Sequence, residues 1–264
     1  LKNLFKQPRI TLIATNNFSK GRVLKYKWPL KIFLNILNIF LDYLVVHSEY
    51  EKSLIVKLNK SLKNKVFVKK HHLMSPKDLF QIERNSKDNL ISFFGPIKKY
   101  KKIDPFINLI KRDINNFFNY AIYGVDQEFL QNVLPGYKSR SNLQIRSNKK
   151  KLTEEEYSMA ITNSKLIFLS HSDAFEGMIS GNFCDCVANN VPFLSRKMEP
   201  IDSYSEKYGP IGFFENFDDI TWPDHFIKKY KEANTQKMKI NLDLISSEHS
   251  EEKIKTDLIR CLIN

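Results

Sequence analysis

Cysteine is nearly absent from this chain: there are three residues in 264, and two of them sit in Cys184-Asp185-Cys186. So few cannot build the disulfide framework that holds small secreted domains together. On a helix, positions 184 and 186 point to different sides, which argues against a metal pair, and buried thiols in a reducing compartment are expected. No run is apolar and long enough to span a bilayer. The nearest, Trp28–Asp42, is interrupted by Lys31, Asn35, Asn38 and Asp42 at steps of four, three and four, which leaves one polar stripe on a helix. Two readings of that stretch stand, a packed helix and an amphipathic helix that dips into a membrane surface. There is no internal repeat and no low-complexity tract. No signal peptide is visible and the chain opens on Leu1 in place of Met, so a truncated or processed start is expected.

Acidic residues are also in short supply. Against 42 Lys and Arg there are 29 Asp and Glu, a formal net charge of +13. Such an excess points to an anionic partner: a phosphorylated substrate, nucleic acid or an acidic membrane face. The competing reading is compositional, since the lysines are accompanied by many Asn and Ile, as AT-rich codons produce. The lysines are dispersed and no nucleic-acid-binding motif occurs, so no nucleic-acid partner is expected. Hydrophobic and charged fractions of 42% and 27% are ordinary, and the length suffices for one large or two modest domains.

What is present is an alternation of short apolar runs with helix-period segments. Strands are expected at Arg9–Thr15, Tyr43–His47, Lys65–Lys70, Leu90–Phe94, Asn119–Gly124, Leu143–Ser147, Lys165–Ser170 and Pro192–Leu194, with a last one entered at Gly209–Phe214. Between them, Ser48 with Glu51 and Thr153 with Glu156 have the spacing of capping boxes; the first opens a helix read through Leu62. Further helices are read near Phe106, over Glu128–Val133 and Ser203–Tyr208, and two close the chain, about Pro223–Ala233 and Glu248–Ile263. This rhythm predicts an α/β protein with parallel sheets and helices on both faces. The pattern breaks at His71-His72-Leu73-Met74-Ser75-Pro76, so two Rossmann-like units are expected, residues 1–77 and 78–264, with the first reduced or truncated. The adjacent histidines project in different directions and do not read as a metal site; a cleft position and a solvated linker are both open.

Lys165–Pro192 is the stretch on which the rest converges. An apolar strand, KLIFLS, leads into a polar turn with two glycines and a glutamate, and a helical pattern starts at Asn182 with Phe183, Val187 and Val191 on one face. Asn190 then takes the place where a left-handed residue ends a helix, ahead of Pro192. A strand, a glycine-bearing turn and a helix start form the layout of a phosphate-sugar site on an α/β scaffold.

This stretch resembles the donor-site signature of bacterial GT-B glycosyltransferases, E-G-…-E-A-…-G-V-P. Glu176-Gly177 stands at the first acid, and Asp185 to Pro192 lines up with the second half. The spacing between the acids is one residue longer than usual and the second is Asp in place of Glu. A second likeness begins at Leu90–Phe94: Gly95, Lys101, Ile103 and Asp104 match the family's strand–G-R-…-K-G-hydrophobic-D–helix, while Pro96 replaces the Arg and Lys102 the Gly.

The resemblance implies GT-B architecture and sugar transfer from a UDP- or GDP-linked donor to a glycan or lipid-linked acceptor, of the kind that builds surface polysaccharide or lipopolysaccharide. It also implies roles. Glu176 and Lys101 are the expected catalytic residues, the first on the donor sugar and the second on the charge that grows on the departing diphosphate. Gly95, Lys98, Gly177, Ser180, Gly181 and Asn182 are expected around the diphosphate, and Asp185 on the ribose hydroxyls. His171, just after the site strand, is a candidate for the cleft or a hydrogen-bonded structural histidine. No Asp-x-Asp pair of the manganese-binding kind occurs, so neither a metal nor a cofactor is expected. Cytoplasmic residence on the inner face of an anionic membrane is expected where acceptors are lipid-linked. The alternatives are a non-catalytic subunit that keeps this fold, and a nucleotide-sugar epimerase, for which no acid-base set can be located.

Overall fold

A computed structural model describes residues 11–13, 20–69, 89–95, 102–136, 139–147, 152–219, 221–250 and 252–256. They group into two compact units, each with its own parallel sheet. The first takes in the described residues up to 69, the segment Asp173–Met178 and the described part of Glu251–Asn264; the second takes in the remainder. The expected boundary at 77/78 lies outside the described residues, as do His71 and His72.

In the first unit the strands β1 (Thr11–Ile13), β2 (Tyr43–Val46) and β3 (Val66–Val68) pair in that order, all parallel. Helices α1 (Lys20–Lys25) and α2 (Lys27–Phe40) connect the first two, and α3 (Glu49–Leu58) the second and third. Ser48 accepts from the Glu51 N–H at 3.1 Å, but the Glu51 carboxylate reaches one residue further back, to the His47 N–H at 3.0 Å. The helix expected through Leu62 stops at Leu58, because Asn59 turns out of helical backbone and its side chain caps a single tight turn, Lys60–Leu62. Leu62 is still fully buried, which is why the apolar period ran on past the helix end.

In α2, Leu34 is buried with Leu30 and Leu37 packed beside it, so the helix is anchored to the small core of this unit. The polar stripe does not face solvent alone: Asn35 accepts from the Asn59 amide at 2.9 Å, and Lys65 donates to the Asn38 carbonyl at 2.8 Å. What lies exposed is apolar. Trp28 and Ile39 are each 74% exposed, and Ile32, Ile36 and Phe40 continue the same outward stripe. Among the described residues no helix is long and apolar enough to cross a membrane.

The second unit holds a six-stranded parallel sheet in the order β6 (Leu143–Ser147), β5 (Asn119–Val125), β4 (Leu90–Phe94), β7 (Leu166–Leu169), β8 (Phe193–Ser195), β9 (Gly212–Phe214). The central strands are apolar throughout because both faces are covered: all of β4 and all of β7 is buried. The helices are α4 (Asp104–Arg112), α5 (Gln127–Val133), α6 (Glu154–Thr162), α7 (Gly181–Ala188), α8 (Ile201–Tyr208), α9 (Asp224–Glu232) and α10 (Thr235–Glu248). Phe106 on α4 sits at the centre of the larger core, its ring 5.0 Å from Phe168 and 5.8 Å from both Phe93 and Tyr120. The buried Asp113 carboxylate accepts from the Phe117 and Phe118 N–H groups and the Tyr120 hydroxyl, which closes the turn between α4 and β5. α10 is a helix the sequence reading did not expect: it is capped by Asn234, and Met238, Leu242 and Ile245 at helical spacing form its buried face. Of the last helix expected at Glu248–Ile263, residues 252–256 are helical and 257–263 lie outside the described residues.

The end of α7 follows the sequence reading. Asn190 has a φ of 53°, the Val191 N–H bonds the Cys186 carbonyl at 2.9 Å and the Asn190 N–H the Val187 carbonyl at 3.2 Å: a Schellman stop with asparagine in the glycine place. Asn190 also donates to Asp243 at 2.8 Å. Replacing Asn190 by Ala and by Gly removes that contact equally, so the difference between the two variants isolates the left-handed backbone. Denaturant unfolding is expected to find Asn190→Ala less stable than Asn190→Gly by about 1 kcal/mol.

Candidate functional site

Strand β4 enters the second sheet at its middle, β5 and β6 are added on one side, and α6 carries the chain back so that β7, β8 and β9 fill the other. The direction of strand addition therefore reverses between β4 and β7. Helices leaving these two strands on opposite faces open a crevice at their carboxyl ends, which is where ligands bind in open α/β sheets.

Gly95 ends β4. Its N–H donates to the Tyr123 carbonyl at 2.7 Å, and a Cβ placed on it would lie 2.8 Å from the Gly124 carbonyl oxygen. Gly124 itself has a φ of 75°. The strand ends approach so closely that Gly95 admits no side chain, a packing reason of its own, whereas at Gly124 a Cβ would meet its nearest neighbour at 3.4 Å and it is the positive φ that favours glycine. Phe94 precedes it, with its ring stacked on Tyr123 at 4.8 Å and edge-on to Tyr157 at 5.3 Å.

Across the crevice, Ser180 precedes α7 with extended backbone and Gly181 and Asn182 form its first turn. The first intrahelical acceptor is the Ser180 carbonyl, taken by Cys184 N–H, so the N–H groups of 181–183 point out of the helix start. A Cβ on Gly181 would meet nothing within 4 Å. The Asn182 side chain donates to the Phe94 carbonyl at 3.2 Å and ties this helix start to the end of β4. One turn further on, the Asp185 carboxylate accepts from the Tyr157 hydroxyl at 2.6 Å. Burial, and then the Asp185 charge, push the Tyr157 phenol far above its ordinary pKa, so it stays a neutral donor. Burial likewise raises the Cys184 thiol to about 12 and holds Cys186 high, so neither is a ready nucleophile.

His171, which follows β7, is 4% exposed and lines a cavity of about 390 Å³ in this same unit. Lys102 and Pro105 at the start of α4 line it too, with Ser170, Arg196 and Lys197 after the ends of β7 and β8, and residues 214–218 at and after the end of β9. Its cations outnumber its acids, and one acid, Glu215, is already engaged by Lys229 at 2.7 Å and by His225 at 3.3 Å.

Glu176 and Gly177 belong to the segment that groups with the first unit. Gly177 has a φ of 88°, in the left-handed region that favours glycine. The Glu176 carboxylate accepts from Lys20 Nζ at 2.6 Å, and its backbone carbonyl from the Lys20 N–H at 2.9 Å. The ion pair raises the Lys20 pKa. Glu176 therefore does not cap α7, whose N-cap is Ser180.

Of the residues singled out in the sequence, Gly95, Ser180, Gly181, Asn182, Asp185 and His171 stand at the carboxyl-end edge of the second sheet. Glu176 and Gly177 are apart from them in the grouping of the chain, and Lys98 and Lys101 lie outside the described residues. Sequence reasoning missed Tyr157, Arg196 and Lys197. The basic pair stands one residue beyond a predicted strand end, a usable signal. Tyr157 gave none, because a single aromatic in the first turns of a helix does not say what it faces.

No protein-family profile matches the chain, and no curated protein does. Solved structures do. Anabaena HepE in complex with UDP superposes with a TM-score of 0.70 at 12% identity, covering 96% of this chain and 72% of that one. The pneumococcal O-GlcNAc transferase GtfA, in complex with UDP and GlcNAc, gives 0.65 at 10% identity over 96% of this chain and 52% of its own. A UDP-forming α,α-trehalose-phosphate synthase from Burkholderia xenovorans gives 0.67 at 9% identity, with 98% and 69% covered. The fold is thus that of GT-B glycosyltransferases, and this chain spans between half and three quarters of these neighbours' lengths.

The two crevice glycines separate packing from openness. Gly95→Ala forces backbone apart and is expected to lower stability by about 1–3 kcal/mol. Gly181→Ala has room and lies in the first turn of a helix, so it is expected to unfold no earlier than the parent. Thermal melts of both variants check this.

Proposed function

We propose that this chain binds the nucleotide part of a nucleotide-diphosphate sugar in the crevice of its second unit and transfers the sugar to a glycan or lipid-linked acceptor in cell-surface polysaccharide synthesis. The observation that carries the reading is the assembled edge: the start of α7 fastened to the end of β4 through Asn182 and Phe94, with a carboxylate held one turn along by Tyr157. Outward N–H groups at a helix start, with its partial positive charge, suit a diphosphate. Asp185 suits two neighbouring ribose hydroxyls, since a carboxylate accepts from both. HepE and GtfA were each seen with UDP, which favours uridine over guanosine as the base.

In this reading Lys101 and Lys98 supply charge to the diphosphate as it departs, Glu176 meets the donor sugar, and neither metal nor cofactor is assigned a part. The Lys20–Glu176 pair at 2.6 Å favours a second reading, in which the carboxylate is committed to structure and the chain is a nucleotide-sugar-binding partner of another glycosyltransferase. Calorimetry and turnover assays separate the two. Asp185→Ala is expected to weaken UDP binding by about 1–3 kcal/mol. Glu176→Ala is expected to leave UDP affinity unchanged and to cut turnover of the sugar nucleotide. Tight nucleotide binding with no turnover in the parent favours the partner-subunit reading, and unchanged turnover in Glu176→Ala removes that residue from the chemistry.

The same proposal places the protein at the inner face of an anionic membrane. Support comes from α2, where Trp28, Ile32, Ile36, Ile39 and Phe40 are exposed on the helix that carries Lys27 and Lys31, with Lys31 Nζ 5.8 Å above the Trp28 ring and Lys25 at the end of α1 just before it. Sedimentation with phosphatidylglycerol vesicles is expected to capture the protein at low salt and progressively less as salt rises. Replacing Trp28 and Ile39 together by Ser is expected to weaken capture roughly tenfold. Equal capture by neutral vesicles in high salt would contradict the electrostatic part.

A further inference from the structure

The signature that this chain resembles has a glutamate where Asp185 stands, one methylene longer. A shorter acid on the same helix keeps its carboxylate closer to the backbone and has fewer ways to meet a ligand. The structure supplies a compensating contact from another helix. Tyr157, in the second turn of α6, reaches the Asp185 carboxylate with its hydroxyl at 2.6 Å, across 28 residues of sequence.

The ring that carries this hydroxyl is itself fixed. It packs edge-on to Phe94 at 5.3 Å, and Phe94 lies flat on Tyr123 at 4.8 Å with an interplanar angle of 6°. α6 is held at its start by a complete capping box, Thr153 accepting from Glu156 N–H at 3.1 Å and Glu156 accepting from Thr153 N–H at 3.0 Å. Arg146, from the end of β6, donates to the same Glu156 at 2.9 Å. The phenol therefore approaches Asp185 from a rigid base built on the carboxyl ends of β4, β5 and β6. A charge-assisted bond from so fixed a donor restricts the rotamer of the acid it holds.

We infer that Tyr157 is a positioning residue for nucleoside recognition: it sets the Asp185 carboxylate to accept from the ribose 2′ and 3′ hydroxyls, and so makes the site selective for ribonucleotides over 2′-deoxyribonucleotides. The inference rests on the nucleotide-sugar reading above and adds to it a specificity and the residue that produces it. Tyr157 touches no substrate in this scheme. It acts through Asp185, and its loss changes selectivity more than stability.

The competing account is purely structural, with the same bond pinning α6 to α7. The two differ in what Tyr157→Phe does. Phenylalanine keeps the ring and its packing on Phe94 and removes only the hydroxyl. Isothermal titration of the full chain with UDP and 2′-deoxy-UDP, and with GDP and 2′-deoxy-GDP in parallel, gives the selectivity ratio for parent and variant, and a thermal melt reports folding. The parent is expected to bind the ribonucleotide roughly tenfold more tightly than its deoxy counterpart. Tyr157→Phe is expected to bring that ratio close to one, as Asp185→Ala does, with most of the loss falling on the ribonucleotide.

A lowered melting temperature with the ratio unchanged makes the bond structural and overturns the inference. A parent that binds nucleotide without discriminating at the 2′ position also overturns it, while the donor-site reading stands. A parent that binds none of the four nucleotides overturns both.

Discussion

β4 and β7 pair in parallel along Ile91–Leu166, Ser92–Ile167 and Phe93–Phe168, so their carboxyl ends emerge side by side, and with β5 beyond β4 and β8 beyond β7 the chain leaves them in opposite directions across the sheet. That pairing is buried on both faces and locked by Phe93, Phe106 and Phe168. Every feature of the crevice depends on it. Gly95 is where it is because β4 ends against β5, and Asn182 can reach Phe94 because α7 starts one loop after β7. Apolar burial of this kind is worth roughly 25 cal/mol per Å², far more than the few polar contacts at the edge. The core fixes the edge, and the edge is left free to vary its chemistry.

The strands were legible because the physics that makes them is local in sequence. A parallel strand covered on both faces reads as a short unbroken apolar run, and each of the nine observed strands falls on a predicted run. Helix ends were legible where a side chain of the right type stood at the right offset: Thr153 with Glu156, and Asn190 at the end of α7. Two helices were not. α1 has only six residues, and α10 begins in a stretch where Asn234 and Thr235 read equally as loop. The apolar period of α3 continued to Leu62 although the helix did not, since burial of a leucine records depth and not hydrogen bonding.

The geometry of the candidate site was legible only in part, for a related reason. A motif marks residues near each other in sequence, so Ser180, Gly181, Asn182 and Asp185 could be read from one stretch. Partners brought in by the sheet carry no such mark. Tyr157 meets Asp185 only after β7 has been laid between their helices, and Asn182 meets Phe94 only after three intervening strands have closed. Nor can a sequence say which of two reasons a glycine serves. Gly95 reads as a phosphate-loop residue by likeness, but the 2.8 Å that would separate its Cβ from the Gly124 oxygen is sufficient to require it with no ligand at all.

The excess of positive charge has a similar double meaning. Several described acids are already matched at close range: Glu156 by Arg146, Glu176 by Lys20, Glu215 by Lys229, Glu248 by Lys207 and Asp202 by Lys197. The more exposed of these pairs contribute little to stability, and all of them remove acids from the long-range field without removing the surplus of lysine. A surplus spread over the surface draws in any anion, and salt weakens it for all anions alike. It cannot tell a nucleotide from a lipid headgroup. Discrimination has to come from groups whose positions are fixed more closely than a Debye length allows; in the proposed reading, these are, among the described residues of the second unit, the outward N–H groups at the start of α7 and the Asp185 carboxylate held by Tyr157. In that reading the net charge sets how often an anion arrives, and the β4–β7 edge decides whether it fits.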